Sequence, residues 1–262
     1  MYNKFHITII YMDIAVLFHG RLRDNEKHNT TKISEFVKNN FKTNDLNVTF
    51  YGHFWDEDEN KTRYLDYCDS ENMVVESNLK YHDKINKIVS QVTTYIDADE
   101  SIQRNGGRGC INRLFGQVSK LISINKAIQL IPENKKYEYV YIYRPDYICW
   151  DTVVHPKSIQ KNTFYLNKHG IFESGGESIF VLHQSNLILF KEMLERLEDI
   201  NNKFVPQCHY WFYNYFVNIK KLNFELLDYN VGVNCEQLSL MYLYYNPNNN
   251  IHQLIKSFNY FL

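Results

Sequence analysis

The sequence is poor in the residues and patterns that mark several specialised protein classes. Its 262 residues include 5 cysteines, 5 prolines, 10 glycines and 3 tryptophans. The cysteines are scattered and never form a C-x-x-C pair, which disfavours a disulfide framework or a structural zinc site and indicates a reducing compartment. The longest apolar stretch, Ile7–Phe18, is interrupted by Asp13 and is shorter than the ~20 residues that a membrane span needs. We therefore predict a cytoplasmic protein without a transmembrane segment.

The chain also lacks an excess of charge of either sign. Its 29 basic and 30 acidic residues give a net charge of −1, which argues against a nucleic-acid-binding protein, since such proteins carry a basic excess. What it has instead is aromatic residues, 21 Tyr and 17 Phe, within a hydrophobic fraction of 44% that is ample for a core. Two interpretations of the tyrosines stay open, an aromatic-walled polar pocket and a codon bias.

The first part of the chain predicts a β-α-β unit. Asp13–His19 is apolar and rich in β-branched residues, Thr31–Phe41 has helical spacing, and Asn47–Trp55 reads as a second strand. Such a unit implies two parallel strands joined by a right-handed crossover.

The middle of the chain predicts two helices and a buried strand. One helix is expected near Tyr81–Val92, and a long amphipathic helix begins at Gly106 and is stopped by Pro132. Tyr137–Tyr143 is continuously apolar, which indicates a strand buried on both faces. That strand leads directly into Arg144-Pro145-Asp146.

The last third predicts shorter elements. We expect short strands at Thr163–Leu166 and Ser178–His183 on either side of a glycine-rich loop, helices over 186–200 and 206–219, and a late strand at Asn223–Val233. Neither an internal repeat nor a linker divides the chain. The prediction is one α/β domain over residues 1–262, with a mainly parallel central sheet and an irregular, helical C-terminal part.

Polar residues gather where three predicted strands end, and ligands of open α/β sheets bind at such carboxyl ends. A further cluster opens the long helix, where a glycine-rich backbone, a helix N-terminus and two arginines suit a diphosphate. It matches neither a P-loop nor a dinucleotide fingerprint. The strand-end residues are His19, Gly20, Arg21 and Arg23, then His53, Trp55 and Asp56, then Arg144 and Asp146; the helix-start arginines are Arg104 and Arg108.

Four segments follow one another in an order that is typical of a known family. They are HGRLRD (19–24), VTFYGHFWD (48–56), NRLFGQVSKLISINKAIQL (112–130) and YEYVYIYRPDYICW (137–150). Over about the first two thirds of the chain, they resemble the small cytosolic glycosyltransferases of GT-A-like fold from bacterial polysaccharide clusters and large DNA viruses. The resemblance implies a hexosyltransferase-class enzyme that transfers a sugar from a nucleotide-sugar donor to a glycan, lipid-linked saccharide or protein acceptor. Residues 1–150 would bind the donor and 151–262 the acceptor, in the bacterial cytoplasm or in that of a viral host.

The resemblance also implies roles for individual residues. Asp146 would take the place of the last Asp of the D-x-D motif, which holds a divalent metal in GT-A enzymes, while Arg144 replaces the first. An arginine neutralises a diphosphate by bidentate hydrogen bonds, so a Mn²⁺ or Mg²⁺ ion held by Asp146 and direct neutralisation by Arg144 are both open. Asp97 and Asp99 form an intact D-x-D and are the alternative metal ligands. The donor-binding set is His19, Gly20, Arg21, Arg23, Arg104, Arg108 and Arg144.

For catalysis we predict Glu177 first and Glu173 second, together with Asp146. The two glutamates flank Gly175-Gly176, where GT-A enzymes often place acceptor and catalytic residues. An inverting transferase needs such a base for the acceptor hydroxyl.

Other functions stay open. Because R-P-D departs from the metal motif, it also suits a non-catalytic binding module that kept the same fold. A structural role is a separate alternative, in which Arg144 and Asp146 form a salt bridge at the strand end around the turn proline. The acidic pairs Asp56/Asp58 and Asp97/Asp99 suit a metal-dependent nucleotidyltransferase or phosphohydrolase. The apolar face of residues 251–262 suits a peripheral membrane contact, although docking as a last helix is the commoner arrangement.

Overall fold

A computed structural model describes residues 12–21, 34, 38–39, 41, 46–98, 107–145, 160–169, 172–198 and 211–227. Its strands are β1 Met12–Gly20, β2 Leu46–Trp55, β3 Met73–Glu76, β4 Tyr139–Tyr143, β5 Thr163–His169, β6 Phe172–Leu182 and β7 Asn223–Leu227. Its helices are α1 His82–Ala98, α2 Gly107–Ile128, α3 Ile188–Glu198 and α4 Trp211–Tyr213, the last continuing as the π-helical segment Asn214–Ile219. Short 3₁₀ turns lie at Lys61–Tyr64, Ser70–Asn72, Asn78–Tyr81 and Gln184–Asn186.

The seven strands of the described residues belong to one sheet in the order β3-β2-β1-β4-β6-β5-β7. The pairs β1/β2, β1/β4, β2/β3 and β5/β7 are parallel, and only β6 runs antiparallel to both of its neighbours. The predicted α/β class with a mainly parallel sheet is therefore confirmed. The predicted helix at Thr31–Phe41 lies mostly outside the described residues, as does the end of the late strand beyond Leu227.

The sheet has a different core on each face. On one face, α2 packs through buried side chains at helical spacing, among them Val118, Leu121 and Ile122, against Leu17 of β1 and Ile142 of β4. Strand β4 is buried along its whole length, as its continuous apolar sequence predicted. The helix covers β1 and β2 and is followed by β4, which is parallel to β1, so α2 runs antiparallel to the strands. Its N-terminal end therefore points beyond the carboxyl edge of the sheet.

The opposite face holds much of the tyrosine and phenylalanine excess. Phe18, Phe41 and Tyr141 are fully buried there. The rings of Phe41 and Tyr141 pack edge to face with centroids 5.1 Å apart, and Phe18 packs in the same way on Tyr143 at 5.9 Å. Phe54 stacks on Tyr64 at 4.3 Å. The tyrosines of β4 do not line an aromatic-walled pocket, because strand alternation directs Tyr139, Tyr141 and Tyr143 into this second core.

Strand β6 differs from the sequence-based expectation. Residues predicted as a glycine-rich loop between two short strands form one continuous strand of 11 residues that contains Glu173, Gly175, Gly176 and Glu177. The ladder between β5 and β6 has register shifts in this stretch, because Asn167 pairs with Gly176 and His169 with Phe172. Glycines tolerate such bulges, so here they mark an irregular ladder rather than a turn.

The helices of the described ranges include none that is both long enough and apolar enough to cross a membrane. The described elements thus form an α/β sheet packed on both faces, and β1, β2, β3 and β4 form its parallel carboxyl edge.

Gly52 in β2 offers a direct test of this packing. A methyl group there would clash with the ring of Phe54 and lie 2.9 Å from Sγ of Cys68. We expect Gly52→Ala to lower the free energy of unfolding by about 1–3 kcal/mol, the usual effect of overpacking a core. Gly116→Ala on α2 is the matched control, because nothing lies within 4 Å of that position. It should raise stability by up to about 1 kcal/mol through helix propensity. Urea denaturation measures both, and equal stabilities for the two variants would contradict the packing.

Candidate functional site at the carboxyl edge of β1, β2 and β4

The strand register brings those predicted polar residues of three strand ends that the structure describes to one edge of the sheet. His19 of β1 lies opposite His53 of β2, and Phe18 lies opposite Tyr143, the last residue of β4. Arg144 therefore follows β4 at the level of His19. Strand alternation places His19, His53 and Arg144 on the face that α2 covers, because Leu17, Tyr51 and Ile142, each two residues earlier, pack in that core.

His19 is the most unusual side chain of this edge. It is 1% exposed, and within the described part of the chain neither of its ring nitrogens has a hydrogen-bond partner. Buried polar groups without partners are costly and uncommon in native proteins. Burial lowers the pKa of His19 well below its usual range, and the positive charges of Lys120 and Arg144 lower it further. At neutral pH the ring is therefore uncharged, with one donor and one acceptor nitrogen unused.

Two cations lie close to this imidazole. Arg144 is half-buried at the end of β4, and Lys120 is half-buried on α2. The ammonium group of Lys120 lies 5.1 Å from the ring centre of Phe180 and 4.8 Å from that of Phe212, so aromatic faces hold it in place. Together, an uncharged imidazole and two neighbouring cations suit an anion that also offers hydrogen-bonding groups, such as a phosphate ester.

A chain of hydrogen bonds lies directly behind this cluster. The Gly20 amide donates to Ser123 Oγ at 2.8 Å, and Ser123 Oγ lies 2.8 Å from His53 Nδ1. His53 Nε2 lies 2.8 Å from Glu76 Oε1, which also accepts a hydrogen bond from the Tyr81 hydroxyl at 3.0 Å. Burial lowers the pKa of His53 to about 4 although its contact with Glu76 opposes the change. Burial opposes ionisation of Glu76, but the hydrogen bonds from His53 and Tyr81 outweigh it and lower the pKa of Glu76.

Arg21 and Asp56, two other predicted residues, have partners of their own. Arg21 forms an exposed ion pair with Glu57 at 3.3 Å, at the same edge as Gly20. Asp56 is buried, and its carboxylate accepts hydrogen bonds from the Tyr64 hydroxyl and from the Asp58 amide, both at 2.9 Å. The Asp56 carboxylate therefore stabilises the turn after β2, and its position does not resemble a free metal ligand.

The glutamates predicted as catalytic lie on β6. Ile179 of β6 pairs with Tyr143 at the end of β4, and the two strands are antiparallel. The part of β6 that precedes Ile179, with Glu177 and Glu173, therefore extends past the carboxyl end of β4. Although the predicted loop is a strand, its register places Glu177 only two residues before Ile179, near the edge that carries Arg144. Glu173 is six residues before Ile179, about 20 Å away along an extended strand.

The arginine of the helix start lies apart from this edge. Arg108 lies four turns before Ser123 on α2, which corresponds to about 22 Å along a helix axis. Arg108 is therefore not adjacent to His19, and its role in donor binding stays a prediction. The described residues do not include Arg23, Arg104, Asp99 or Asp146. Asp97 belongs to helix α1.

A metal site does not form from the side chains that the structure describes. Among them, no group of three or more His, Cys, Asp or Glu residues is arranged to hold an ion. Lys120 and Arg144, the charged groups of the described residues that lower the pKa of His19, are cations and repel a divalent metal. The described part of the edge thus fits an anion and does not by itself fit a metal.

Sequence reasoning missed three residues of this region, Lys120, Ser123 and Glu76. A signal was present for two of them, since Lys120 and Ser123 are three positions apart on a predicted helix and hence share a face. Glu76 was missed together with β3, a strand of only four residues.

Comparisons with known proteins give little further information. No protein-family model matches the chain, and no curated protein matches it significantly. Two crystal structures of the glycosyltransferase GlyE from Streptococcus pneumoniae TIGR4, one of them the apo form, are similar to it at 10% sequence identity, with TM-scores of 0.42 and 0.40. The similarity covers 82% of this chain and 45% of each GlyE chain, so this chain spans less than half of their length. With TM-scores below 0.5, the similarity carries no weight for the activity of this chain.

Proposed function

We propose that the chain is a GT-A-like glycosyltransferase that binds a nucleotide-sugar donor at the carboxyl edge of β1, β2 and β4. The observation that carries the proposal is His19, a buried imidazole whose two ring nitrogens lack partners among the described residues, next to Lys120 and Arg144. The ordered motifs of the sequence support the same activity, because the residues of HGRLRD and YRPD end the two adjacent strands of this edge.

In this proposal the cations act on the leaving group. Breaking the bond between sugar and diphosphate develops negative charge on the phosphate, and Arg144 and Lys120 stabilise that charge in a partly water-excluded site. The His19 ring donates a hydrogen bond from one nitrogen to a phosphate or ribose oxygen. It remains uncharged while doing so, because burial and the neighbouring cations lower its pKa.

The acceptor side of the proposed reaction uses β6. Glu177, with Glu173 as the second candidate, is proposed as the base that takes the proton of the acceptor hydroxyl. Its support is the register of β6 against β4, in which Glu177 precedes the partner of Tyr143 by only two residues. Asp146 is proposed beside the diphosphate, and a divalent ion bound there would supply additional positive charge.

Calorimetric titration with UDP-, GDP- and CMP-sugars, with and without Mn²⁺, tests the proposal. Binding of one donor class, followed by slow release of the nucleoside diphosphate, is the expected result. Absence of binding across the panel would contradict it and favour a binding module for another ligand. Metal-dependent release of phosphate from simple esters would contradict it in favour of a phosphohydrolase.

A further inference from the structure

We infer that Ser123, His53 and Glu76 position the end of β1 for donor binding, an inference that rests on the proposed function. These three residues, called the Gly20 latch below, are linked by hydrogen bonds to the backbone amide of Gly20. Gly20 follows His19 directly and precedes Arg21, so its backbone sets where both side chains begin.

The directions of the hydrogen bonds in the latch follow from which of its nitrogen and oxygen atoms carry a proton. Glu76 is ionised and can only accept, so His53 Nε2 carries the proton in that contact. Because the ring is uncharged at neutral pH, its Nδ1 has no proton and accepts from the hydroxyl of Ser123. The same hydroxyl also donates to the backbone carbonyl oxygen of His53, 3.1 Å away, so its one proton is shared between two acceptors of His53. A lone pair of Ser123 Oγ is thereby directed to the Gly20 amide, 2.8 Å away.

The latch joins separate elements of the fold. Gly20 belongs to β1, Ser123 to α2, His53 to β2 and Glu76 to β3. At its outer end, Glu76 also lies 3.8 Å from the ammonium group of Lys126, and the Trp55 ring packs edge to face against His53 with centroids 4.5 Å apart. The position of Gly20 is thus coupled to β3 at the edge of the sheet.

The conformation of Gly20 explains why its amide needs a fixed acceptor. Its φ of +100° lies in a region that residues with a side chain rarely adopt. Strand β1 ends at this residue, and the Gly20 amide donates its hydrogen bond to the Ser123 hydroxyl oxygen. Without that acceptor, the Gly20 N–H would lack a hydrogen-bond partner at the site where the nucleotide-sugar is proposed to bind.

A serine, a histidine and a carboxylate in hydrogen-bonded sequence also suggest a nucleophile, but the burial excludes it. Ser123 and His53 are both fully buried, so no substrate reaches the hydroxyl. The hydroxyl oxygen is moreover occupied by the Gly20 amide. A positioning role accounts for both observations.

The test compares Ser123→Ala with Ser119→Ala. Ser119 is a buried serine one turn earlier on α2, and the same substitution there leaves the latch intact. Spectra of protein labelled with ¹⁵N-glycine contain signals from only 10 glycines, which makes exchange of the Gly20 amide with D₂O measurable. We expect exchange at least about tenfold faster in Ser123→Ala and unchanged in Ser119→Ala, as for loss of one hydrogen bond.

Donor kinetics supply the functional part of the test. The KM for the donor that the wild-type protein uses should rise about tenfold in Ser123→Ala, with a smaller change in kcat, because the latch orders the binding edge. Glu76→Ala, at the partly exposed end of the latch, should give the same pattern more weakly and serves if Ser123→Ala does not fold. Glu76→Gln keeps an acceptor for His53 and should restore Gly20 protection and KM towards wild-type values.

The outcomes separate this inference from the proposed function. If the wild-type protein uses a donor and KM is the same in Ser123→Ala and Ser119→Ala, the latch has no positioning role while the proposed function stands. Unchanged exchange of the Gly20 amide in Ser123→Ala overturns the latch itself. If the wild-type protein binds no nucleotide-sugar, the proposed function is overturned, and the claim that the latch serves donor binding falls with it.

Discussion

Arg144→Gln is expected to weaken binding of the nucleotide-sugar donor by about 10- to 100-fold, the usual range for one charge-assisted hydrogen-bonding partner. The effect should be large because Arg144 is half-buried at the end of β4, beside His19 and on the face that carries Lys120. An arginine in such a place meets a diphosphate with less screening by water than an exposed one. Calorimetry with the donor measures the change in dissociation constant.

Two further variants make this result specific. Arg144→Lys keeps the charge but loses the forked donor geometry, so it should fall between wild type and Arg144→Gln. Arg196→Gln on α3 is the matched control, a half-buried arginine that the proposed site does not use, and it should leave donor affinity unchanged. Equal affinity of wild type and Arg144→Gln would remove Arg144 from the site.

Acidification is expected to destabilise the fold before its carboxyl groups titrate. The pKa of His53 falls from 6.5 to about 4 on folding because the ring is buried, and that of His19 is lowered in the same direction. Unfolded protein therefore binds more protons than folded protein below about pH 6.5, and stability is lost as the pH falls. His53 alone contributes a loss of about 3 kcal/mol, complete near pH 4, at about 1.4 kcal/mol per pKa unit. Above about pH 6.5 the ring is uncharged in both the folded and the unfolded protein, and this loss is absent.

Urea denaturation between pH 7 and pH 5 measures this loss in a range where the histidines dominate. Glu76 adds its own loss only below about pH 4.5, because its folded-state pKa is lowered from 4.5. His53→Gln and His19→Gln should each flatten the decline between pH 6.5 and pH 5. A decline of unchanged steepness in both variants would show that other groups cause it.

Much of the sheet could be predicted from the sequence because its strands are strongly apolar. Strands β1, β2 and β4 are central or near-central, and burial requires the Val, Ile, Leu, Phe and Tyr that made them recognisable. The positions of His19 and Arg144 at one edge followed from parallel pairing alone. Strand β3 escaped prediction because it has only four residues and lies at the end of the sheet order.

The rest of the site depends on tertiary packing that no local pattern encodes. Nothing in the sequence near Ser123 indicates that its hydroxyl meets Gly20, which lies 103 positions earlier. The glycines of β6 predicted a turn, yet pairing with β5 holds them in a bulged strand, since tertiary context overrides turn propensity. The tyrosines of β4 pack opposite the proposed site because alternation along the strand decides their face.

A crystal structure of the protein soaked with the nucleoside diphosphate of its donor tests the central claim most directly. We expect the diphosphate within hydrogen-bonding distance of Arg144 and a ring nitrogen of His19, with the ammonium group of Lys120 on the same side. Such a structure also shows whether Asp146, or instead Asp97 and Asp99, faces the terminal phosphate. A diphosphate bound away from the ends of β1 and β4, with the His19 ring still unpartnered, would contradict the account.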